Sequence, residues 1–256
     1  MLLLLSPAKI QNFNPQDITN KHSLPQFIDE ANQIIQEIRQ VTDLELAKLL
    51  GINMKLASTN VERHAQWQLP FTPSNAKQVV FTYDGEVYRG LNPSKFTAEE
   101  LDYLQSHLRL FSGLYGILRP LDLIQAYRWE ISTKLNINGH KDGYKFWGNK
   151  LTELLNVTLD GLKEERIVLN LSSNEYFKSI NRKKLQARVI DFDFLECVDG
   201  KYKAIVVYIK KARGVMVRYV VENRIEAFED LKGFNADGYW YNEELSTEQK
   251  LVFTRG

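Results

Sequence analysis

The sequence predicts a mixed α/β (α+β) fold in which helices flank a mixed sheet within one compact domain. Two kinds of segment support this prediction: apolar residues recur at helical spacing in some stretches, and short apolar or alternating runs mark strands in others. The two kinds follow one another without a strict β-α-β rhythm, which favours a mixed sheet. No Pro- or Gly-rich linker interrupts the 256 residues, so residues 1–256 are assigned to a single domain.

The first half of the chain is predicted to begin with a buried strand and to continue mainly as helices. Met1–Leu5 is apolar throughout and stops at Ser6-Pro7, as a buried strand does. Helices are expected from residue 25, over 42–50, over 53–67 and from 97, with a short strand at 79–83. Thr42 and Thr97 each precede a glutamate by three residues, which is the spacing of a capping box at a helix start.

The second half predicts further helices and strands, with one hairpin. Helices are expected over 144–159 and 213–225, and strands over 166–171, 189–198, 202–209, 239–241 and 251–254. Asp199-Gly200 is a two-residue hairpin signal between two of these strands. The second of them is expected to enter the next helix through Lys210, Lys211 and Arg213. These cations would then lie at a helix N-terminus, where free backbone N–H groups and the helix dipole favour an anion such as phosphate.

The stretch SGLYGILRPLD, residues 112–122, interrupts this pattern with apolar residues and two glycines. Gly113 is expected to end the preceding helix, and Pro120 suits the first position of a new one. A helix, a tight glycine turn and a second helix form a helix-hairpin-helix-like element, which can present backbone N–H groups to phosphate. Gly113 and Gly116 would allow this close approach. An ordinary glycine cap at a helix end explains the same residues and stays open as an alternative.

The charge is distributed unevenly along the chain. The formal net charge is +1, but residues 178–224 contain 12 Lys and Arg against 5 Asp and Glu. This basic segment indicates an anionic partner, unless its cations spread over several faces of the fold. No apolar stretch is long enough to span a membrane, and the N-terminus lacks the basic region of a signal peptide. We therefore expect a cytoplasmic location.

The common enzyme motifs are missing. The sequence contains no phosphate-binding loop, dinucleotide-binding fingerprint, nucleophile elbow or zinc-binding HExxH pair. Its one cysteine, Cys197, cannot form an internal disulfide or a cysteine metal cluster, and the four histidines lack metal-ligand spacing. No metal and no cofactor are therefore predicted.

Polar residues within apolar segments nevertheless allow an enzyme hypothesis, with a small phosphorylated or nucleotide-like substrate. The candidate catalytic residues are Ser6, Lys9, Asp122 and Glu175. Ser6 and Lys9 follow the first strand, where open sheets place their ligands; Lys9 could act as a desolvated base or nucleophile. The hypothesis requires a shared pocket for Ser6, Lys9, Arg119, Asp122, Arg128, Glu130, Asn170 and Glu175. Alternatively, the four charged residues between 119 and 130 form a buried ion network that fixes the turn.

Six blocks of sequence occur in order along the chain: SPAK at 6–9, GLYGILRPLDLIQAYR at 113–128, NLSSNEYFKS at 170–179, KKARG at 210–214, ENR at 222–224 and GFNADGY at 233–239. Together they resemble the YaaA family of bacterial peroxide-stress proteins, over nearly the whole chain. The resemblance implies a cytoplasmic protein of the hydrogen peroxide response that limits damage by intracellular iron. It also implies a single-domain α/β fold with a helix-hairpin-helix-like element and a positively charged cleft that binds DNA.

The leading hypothesis is therefore a monomeric DNA-binding protein of low sequence specificity, acting on duplex or partly unpaired DNA. The residues expected to contact nucleic acid are Gly113, Tyr115, Gly116, Arg119, Lys178, Lys183, Lys210, Lys211, Arg213 and Arg218. Their cations would neutralise phosphates, so that binding weakens steeply with salt. Tyr115 and Tyr176 would stack on unpaired bases. The alternative remains an enzyme with a small anionic ligand in the same region.

Overall fold

A mixed sheet runs through the centre of the protein, as the sequence predicts. The computed structural model describes residues 1–162 and 165–256. Its strands are β1 (Leu2–Leu5), β2 (Ile10–Gln11), β3 (Lys77–Gln78), β4 (Tyr83–Asp84), β5 (Leu108–Ser112), β6 (Gly116–Leu118), β7 (Leu123–Ile124), β8 (Ile167–Leu171), β9 (Arg188–Val198), β10 (Lys201–Lys203), β11 (Trp240–Tyr241) and β12 (Lys250–Arg255). The main sheet has the order β11-β12-β9-β8-β1-β5-β6, with β10 paired to β9. β2 with β4, and β3 with β7, form two small separate ladders.

β1 lies in the middle of this sheet and is parallel to both of its neighbours. Leu3 lies opposite Leu108 of β5 on one side and Leu169 of β8 on the other. All four leucines of β1 are fully buried. A parallel strand that is covered on both faces needs apolar residues at every position. The predicted buried strand at the start of the chain is thereby confirmed.

The direction in which the chain crosses the sheet reverses beside β1. From β1 the chain passes to β5 and β6 on one side, and it then returns to β8, β9 and β12 on the other side. The connections that leave β1 and β8 therefore run in opposite directions. In open α/β sheets such a point leaves a crevice outside the carboxyl ends of the two strands. Ser6 and Ser172 are the first residues beyond these two ends.

Helices flank the sheet. They are α1 (Ile28–Ile38), α2 (Asp43–Leu50), α3 (Met54–Gln66), α4 (Val79–Thr82), α5 (Glu86–Leu91), α6 (Ala98–His107), α7 (Gly143–Trp147), α8 (Lys150–Asp160), α9 (Asn174–Phe177) and α10 (Val206–Glu222). The predicted capping boxes form at Thr42 and Thr97, each with the glutamate three residues further on. Gly214 lets α10 approach α5, because a Cβ atom there would overlap the carbonyl oxygen of Val87. No helix among the described residues is both long enough and apolar enough to cross a membrane.

Residues 112–122 contain the turn and second strand of a β-hairpin, and the predicted helix-hairpin-helix is wrong. α6 ends at residue 107, β5 continues to residue 112, and β6 pairs with β5 in antiparallel orientation. Gly113 therefore does not end a helix, and no helix begins at Pro120. The apolar spacing of α6 continues through Leu108 and Phe111, which is why the sequence suggests a longer helix. Pairing of β5 with the distant strand β1 decides the conformation instead.

The basic segment KKARG lies inside a helix and not at its start. The sequence predicts a strand over 202–209 and a helix over 213–225, but β10 has only three residues and α10 already begins at Val206. The β-branched residues at the start of α10 have strand propensity, which packing overrides here. Lys210, Lys211 and Arg213 therefore lie in the second and third turns. The predicted anion site at a helix N-terminus is wrong.

Other predictions at the ends of elements are confirmed or need smaller corrections. The predicted strand at 79–83 is mainly the single helical turn α4. The predicted helix at 144–159 is divided into α7 and α8 at Gly148, whose φ of 50° lies in the left-handed region. The hairpin at Asp199-Gly200 and the strands near 166, 189, 239 and 251 are confirmed.

Candidate ligand cleft at the carboxyl ends of β1 and β8

A cleft opens at the point where the strand order reverses. Its deeper part, here called the inner pocket, has a volume of about 280 Å³. The polar and charged side chains that line it include Ser6, Lys9, Arg128, Glu130, Ser173, Glu175, Lys210 and Arg213; Gln11, Asp84 and Glu86 line it as well. Five of the eight side chains that the enzyme hypothesis expected in one pocket therefore meet there, namely Ser6, Lys9, Arg128, Glu130 and Glu175. They come from three separate parts of the chain.

Ser6 and Ser173 join the ends of the two central strands. The Ser6 hydroxyl accepts a hydrogen bond from the backbone N–H of Ser173 at 2.8 Å and lies 3.2 Å from the Ser173 hydroxyl. The Tyr88 hydroxyl donates to the Ser6 carbonyl oxygen at 2.9 Å. These bonds hold the floor of the inner pocket in place, and the Ser6 hydroxyl is already engaged in them.

Glu130 is placed between two cations without forming a hydrogen bond. Its Oε1 lies 3.2 Å from Lys9 Nζ and 3.4 Å from Arg128 Nε. Neither contact has hydrogen-bond geometry, and both carboxylate oxygens are buried without a hydrogen-bond partner among the described residues. The Glu130 side chain is 13% exposed and that of Lys9 65%. The carboxylate therefore has its charge compensated but its hydrogen-bonding capacity unused.

Unused hydrogen-bonding atoms are concentrated in this pocket. Seven buried side-chain atoms of the described residues lack a hydrogen-bond partner, and five of them belong to pocket-lining residues: Arg128, Trp129, Glu130 and Arg213. Burial lowers the pKa of Arg213 below its ordinary value, although Asp193 and Asp191 oppose the shift. Native proteins leave few buried polar groups unpaired, so a cluster of them needs an explanation.

Tyrosine rings form an aromatic wall of the inner pocket. Tyr88, Tyr127 and Tyr176 all line it. Burial raises the pKa of each of the three well above its ordinary value, so the hydroxyls stay neutral. The Tyr127 hydroxyl lies 2.6 Å from both the Tyr83 and the Ser112 hydroxyls, which anchors the wall in the core. The wall offers flat apolar surface next to charged groups.

The cleft continues outward from Lys9, Glu130 and Glu175 into a second depression of about 410 Å³, here called the outer groove. Lys48 and Lys134 line this groove. The Ser132 hydroxyl donates to Glu175 Oε1 at 2.6 Å, so that this carboxylate, unlike Glu130, is already bonded. No local signal in the sequence identifies Lys48 or Lys134, because α2 and the loop after residue 130 meet only in the folded protein.

Two of the expected pocket residues form a structural ion pair elsewhere, and a third lies outside the cleft. Arg119 and Asp122 are 2.9 Å apart, and Asp122 is fully buried. The buried-network alternative therefore holds for this pair, and Asp122 does not lie in the pocket that the catalytic hypothesis requires. Asn170 donates to Asp191 at 2.7 Å and does not line the cleft.

The hairpin residues expected to contact DNA are in the core. Gly113, Tyr115 and Gly116 are buried, and the Tyr115 hydroxyl accepts a hydrogen bond from Trp67 Nε1 at 2.8 Å. A Cβ atom on Gly116 would collide with the ring of Trp147, which shows how tightly the turn is packed. The predicted contacts of these three residues with DNA are wrong, because their backbone and side chains face protein.

The cations expected at the DNA interface are distributed over several surfaces. Lys210 and Arg213 line the inner pocket, whereas Lys211 is paired with Asp237 at 2.8 Å. Arg119 is held by Asp122. Lys178 is exposed, and its ammonium group lies 5.3 Å from the centre of the Tyr144 ring. Lys183 is also exposed, whereas Arg218 is half-buried. Only part of the predicted set therefore lies at the cleft.

Comparison with known protein families agrees with the resemblance in the sequence. The family described as peroxide stress protein YaaA matches residues 1–245 of the 256. Because the match covers nearly the whole chain, the protein belongs to this family. Membership supports a role in the oxidative stress response.

Proposed function

We propose that the protein binds DNA with low sequence specificity along the outer groove, as its part in the response to hydrogen peroxide. Family membership supports the stress role. The proposed interface differs from the one expected from the sequence, because it uses the rim of the cleft in place of the buried hairpin.

The observation that carries the proposal is a set of unpaired lysines, three of which line the cleft while the fourth follows a cleft-lining glutamate in the chain. Lys48 and Lys134 line the outer groove, Lys210 lines the inner pocket, and Lys178 follows Glu175 by three residues. All four are exposed, and none forms an ion pair with a described residue. Exposed cations of this kind neutralise phosphates, and phosphate contacts carry no sequence information. Binding of low specificity follows from that chemistry.

Protection against iron would then be indirect. No three His, Cys, Asp or Glu side chains within residues 1–162 and 165–256 are grouped as a metal site. We propose that bound protein covers DNA and so limits the access of iron-dependent oxidants to it.

A salt titration tests the DNA interface. Duplex, single-stranded and bubble DNA are titrated at several salt concentrations with the wild type and with Lys48→Ala/Lys134→Ala/Lys178→Ala. The slope of log affinity against log salt is expected to fall by roughly 2 to 3 units, since each phosphate contact contributes about 0.7 to 0.9.

A matched control removes the same charge elsewhere. Lys55, Lys95 and Lys201 are exposed lysines that line neither part of the cleft, and their triple alanine variant should keep the wild-type slope. Equal losses in both variants, or no salt-dependent binding to any DNA, would rule out the outer groove as the interface.

A further inference from the structure

We infer that the inner pocket binds a single nucleobase with the hydrogen-bonding edge of guanine. The base can come from a free nucleotide or from an unpaired position in DNA, and only the second source rests on the proposed function. The inference depends on the unpaired atoms of the pocket, on its aromatic wall and on its size.

Glu130 determines which edge the pocket can recognise. An ionised carboxylate only accepts hydrogen bonds, and both of its oxygens are unused here. The ligand that satisfies both at once presents two neighbouring N–H groups. Among the four DNA bases, guanine alone offers such a pair on its Watson–Crick edge, from the ring N1–H and the exocyclic amino group; adenine, cytosine and thymine place an acceptor beside each donor. Glu130 therefore favours guanine.

The remaining unpaired atoms of the pocket are donors. Arg128 Nε, Trp129 Nε1 and Arg213 Nε are buried without hydrogen-bond partners among the described residues. Arginine commonly donates to the O6 and N7 acceptors of guanine. A base that donates two hydrogen bonds to Glu130 and accepts hydrogen bonds from the two guanidinium groups would satisfy every unpaired atom of the pocket except Trp129 Nε1.

The shape of the pocket also fits one ring system. Its volume of about 280 Å³ is near the lower limit for small-molecule sites and cannot contain a duplex. Three tyrosines and Trp129 line it. Enzymes and readers that take a base out of the stack hold it in the same way, by hydrogen bonds to its Watson–Crick edge and by aromatic contacts.

Lys9 covers the carboxylate and must move when the base enters. Its ammonium group lies 3.2 Å from Glu130 Oε1, but 65% of its side chain is exposed, so that it can rotate into solvent. Lys9, Glu130 and Glu175 line both the inner pocket and the outer groove. The sugar and phosphate of a bound nucleotide would therefore leave the pocket beside Lys9, and the phosphate would meet the lysines of the groove.

Calorimetric titration of the full chain tests this inference with guanosine 5′-monophosphate and inosine 5′-monophosphate, which differ only in the 2-amino group. The wild type is expected to bind the guanosine compound about tenfold more tightly, because inosine leaves one oxygen of Glu130 unpaired. Glu130→Gln should remove this preference, whereas Glu244→Gln, a change at an exposed glutamate outside the cleft, should keep it. Circular dichroism establishes that each variant is folded.

Oligonucleotides distinguish the two sources of the base. A single-stranded thymidine oligomer with one central guanine is compared with its inosine counterpart and with a duplex that contains the same guanine. A guanine preference in the single strand indicates a base from DNA; a preference seen only with mononucleotides indicates a free nucleotide.

The outcomes separate this inference from the proposed function. Equal affinity of the wild type for the two mononucleotides, or a preference that survives Glu130→Gln, would overturn the base pocket. The Lys48/Lys134/Lys178 variant should lose affinity for DNA and keep the ratio between the mononucleotides. If DNA binding shows the expected salt slope but the protein does not distinguish the two mononucleotides, the DNA interface is supported and only the base pocket is refuted.

Discussion

Two pairs of oppositely charged residues lie in the same segment of the chain, and only one of them has its hydrogen bonds completed. Asp122 accepts bonds from the Arg119 backbone N–H at 2.8 Å, from its guanidinium at 2.9 and 3.1 Å, and from the Ser23 hydroxyl at 2.6 Å. Glu130 lies beside Arg128 and Lys9 and accepts no hydrogen bond from the described residues.

This difference separates a pair that stabilises the fold from a pair that leaves hydrogen-bonding capacity free. A buried ion pair with all its hydrogen bonds formed holds two parts of a fold together, whereas a pair with free acceptors keeps capacity for a ligand. Arg119 and Asp122 connect the segment after β6 to the loop at Ser23 and Leu24. Arg128 and Glu130 face a cleft. Pairs of an arginine and an acid within one short stretch therefore differ in how completely their hydrogen bonds are formed.

The largest expected effect is the loss of stability when the completed pair is broken. Asp122→Ala removes the acceptor of four hydrogen bonds and leaves Arg119 without its partner, which should lower the free energy of unfolding by about 3 to 5 kcal/mol. Denaturant unfolding measures this change. The control is Asp102→Ala, which breaks an exposed pair with Lys21 and should cost at most about 1 kcal/mol. Similar losses in the two variants would show that Asp122 is not a structural anchor.

The sequence could not distinguish the two pairs, although it identified their residues. Both have Arg and an acid at short spacing between apolar residues, and the distinction depends on partners far along the chain, such as Ser23 for Asp122 and Lys9 for Glu130. Ser6, Lys9 and Glu175 were predictable, because residues that follow central parallel strands meet at one edge of a sheet. Lys48 and Lys134 were not, since nothing local relates them.

Prediction of the fold also fails where the conformation depends on contacts between distant parts of the chain. Capping boxes and the leucine run of β1 depend on local chemistry, and the sequence therefore predicts them; the structure confirms both. The sequence predicts a helix over β5 because its apolar spacing continues that of α6, whereas the strand conformation depends on pairing with β1 and β6. Propensity also failed at the start of α10, where tertiary packing extends the helix over β-branched residues.

The second largest effect is a dependence of stability on pH that originates at His64. This histidine contacts the backbone of Arg128, which belongs to the pair with free hydrogen-bond acceptors, here called the open pair. Burial lowers the pKa of His64 to about 4. Its Nε2 accepts a hydrogen bond from the Arg128 backbone N–H at 3.3 Å, which requires the neutral ring. In the unfolded chain the residue takes up a proton near pH 6.5, whereas in the folded protein it does so only near pH 4. The contribution to stability is therefore complete above pH 6.5 and decreases as the pH falls to 4.

Denaturant unfolding at pH 7 and pH 4 measures this contribution. The loss should be roughly 2 to 3 kcal/mol larger for the wild type than for His64→Gln, whose amide oxygen accepts the same bond without titrating. His22→Gln, at an exposed histidine, should behave as the wild type. If His64→Gln loses as much stability between the two pH values as the wild type, the histidine does not support Arg128 in the proposed way.

The smallest expected effect is a change in the free energy of unfolding when Glu130 of the open pair is substituted. Glu130→Gln removes a buried charge that accepts no hydrogen bond, so the relieved desolvation cost offsets the lost attraction to Lys9 and Arg128, and the free energy of unfolding should change by less than about 1 kcal/mol. Glu196 provides the contrast: it is equally enclosed, but it accepts hydrogen bonds from the Tyr239 hydroxyl and, at 2.7 Å, from Arg255 Nε. Glu196→Gln should cost about 1.5 to 3 kcal/mol. A larger loss for Glu130→Gln than for Glu196→Gln would mean that Glu130 is held for stability, and the distinction between completed and open pairs would fail.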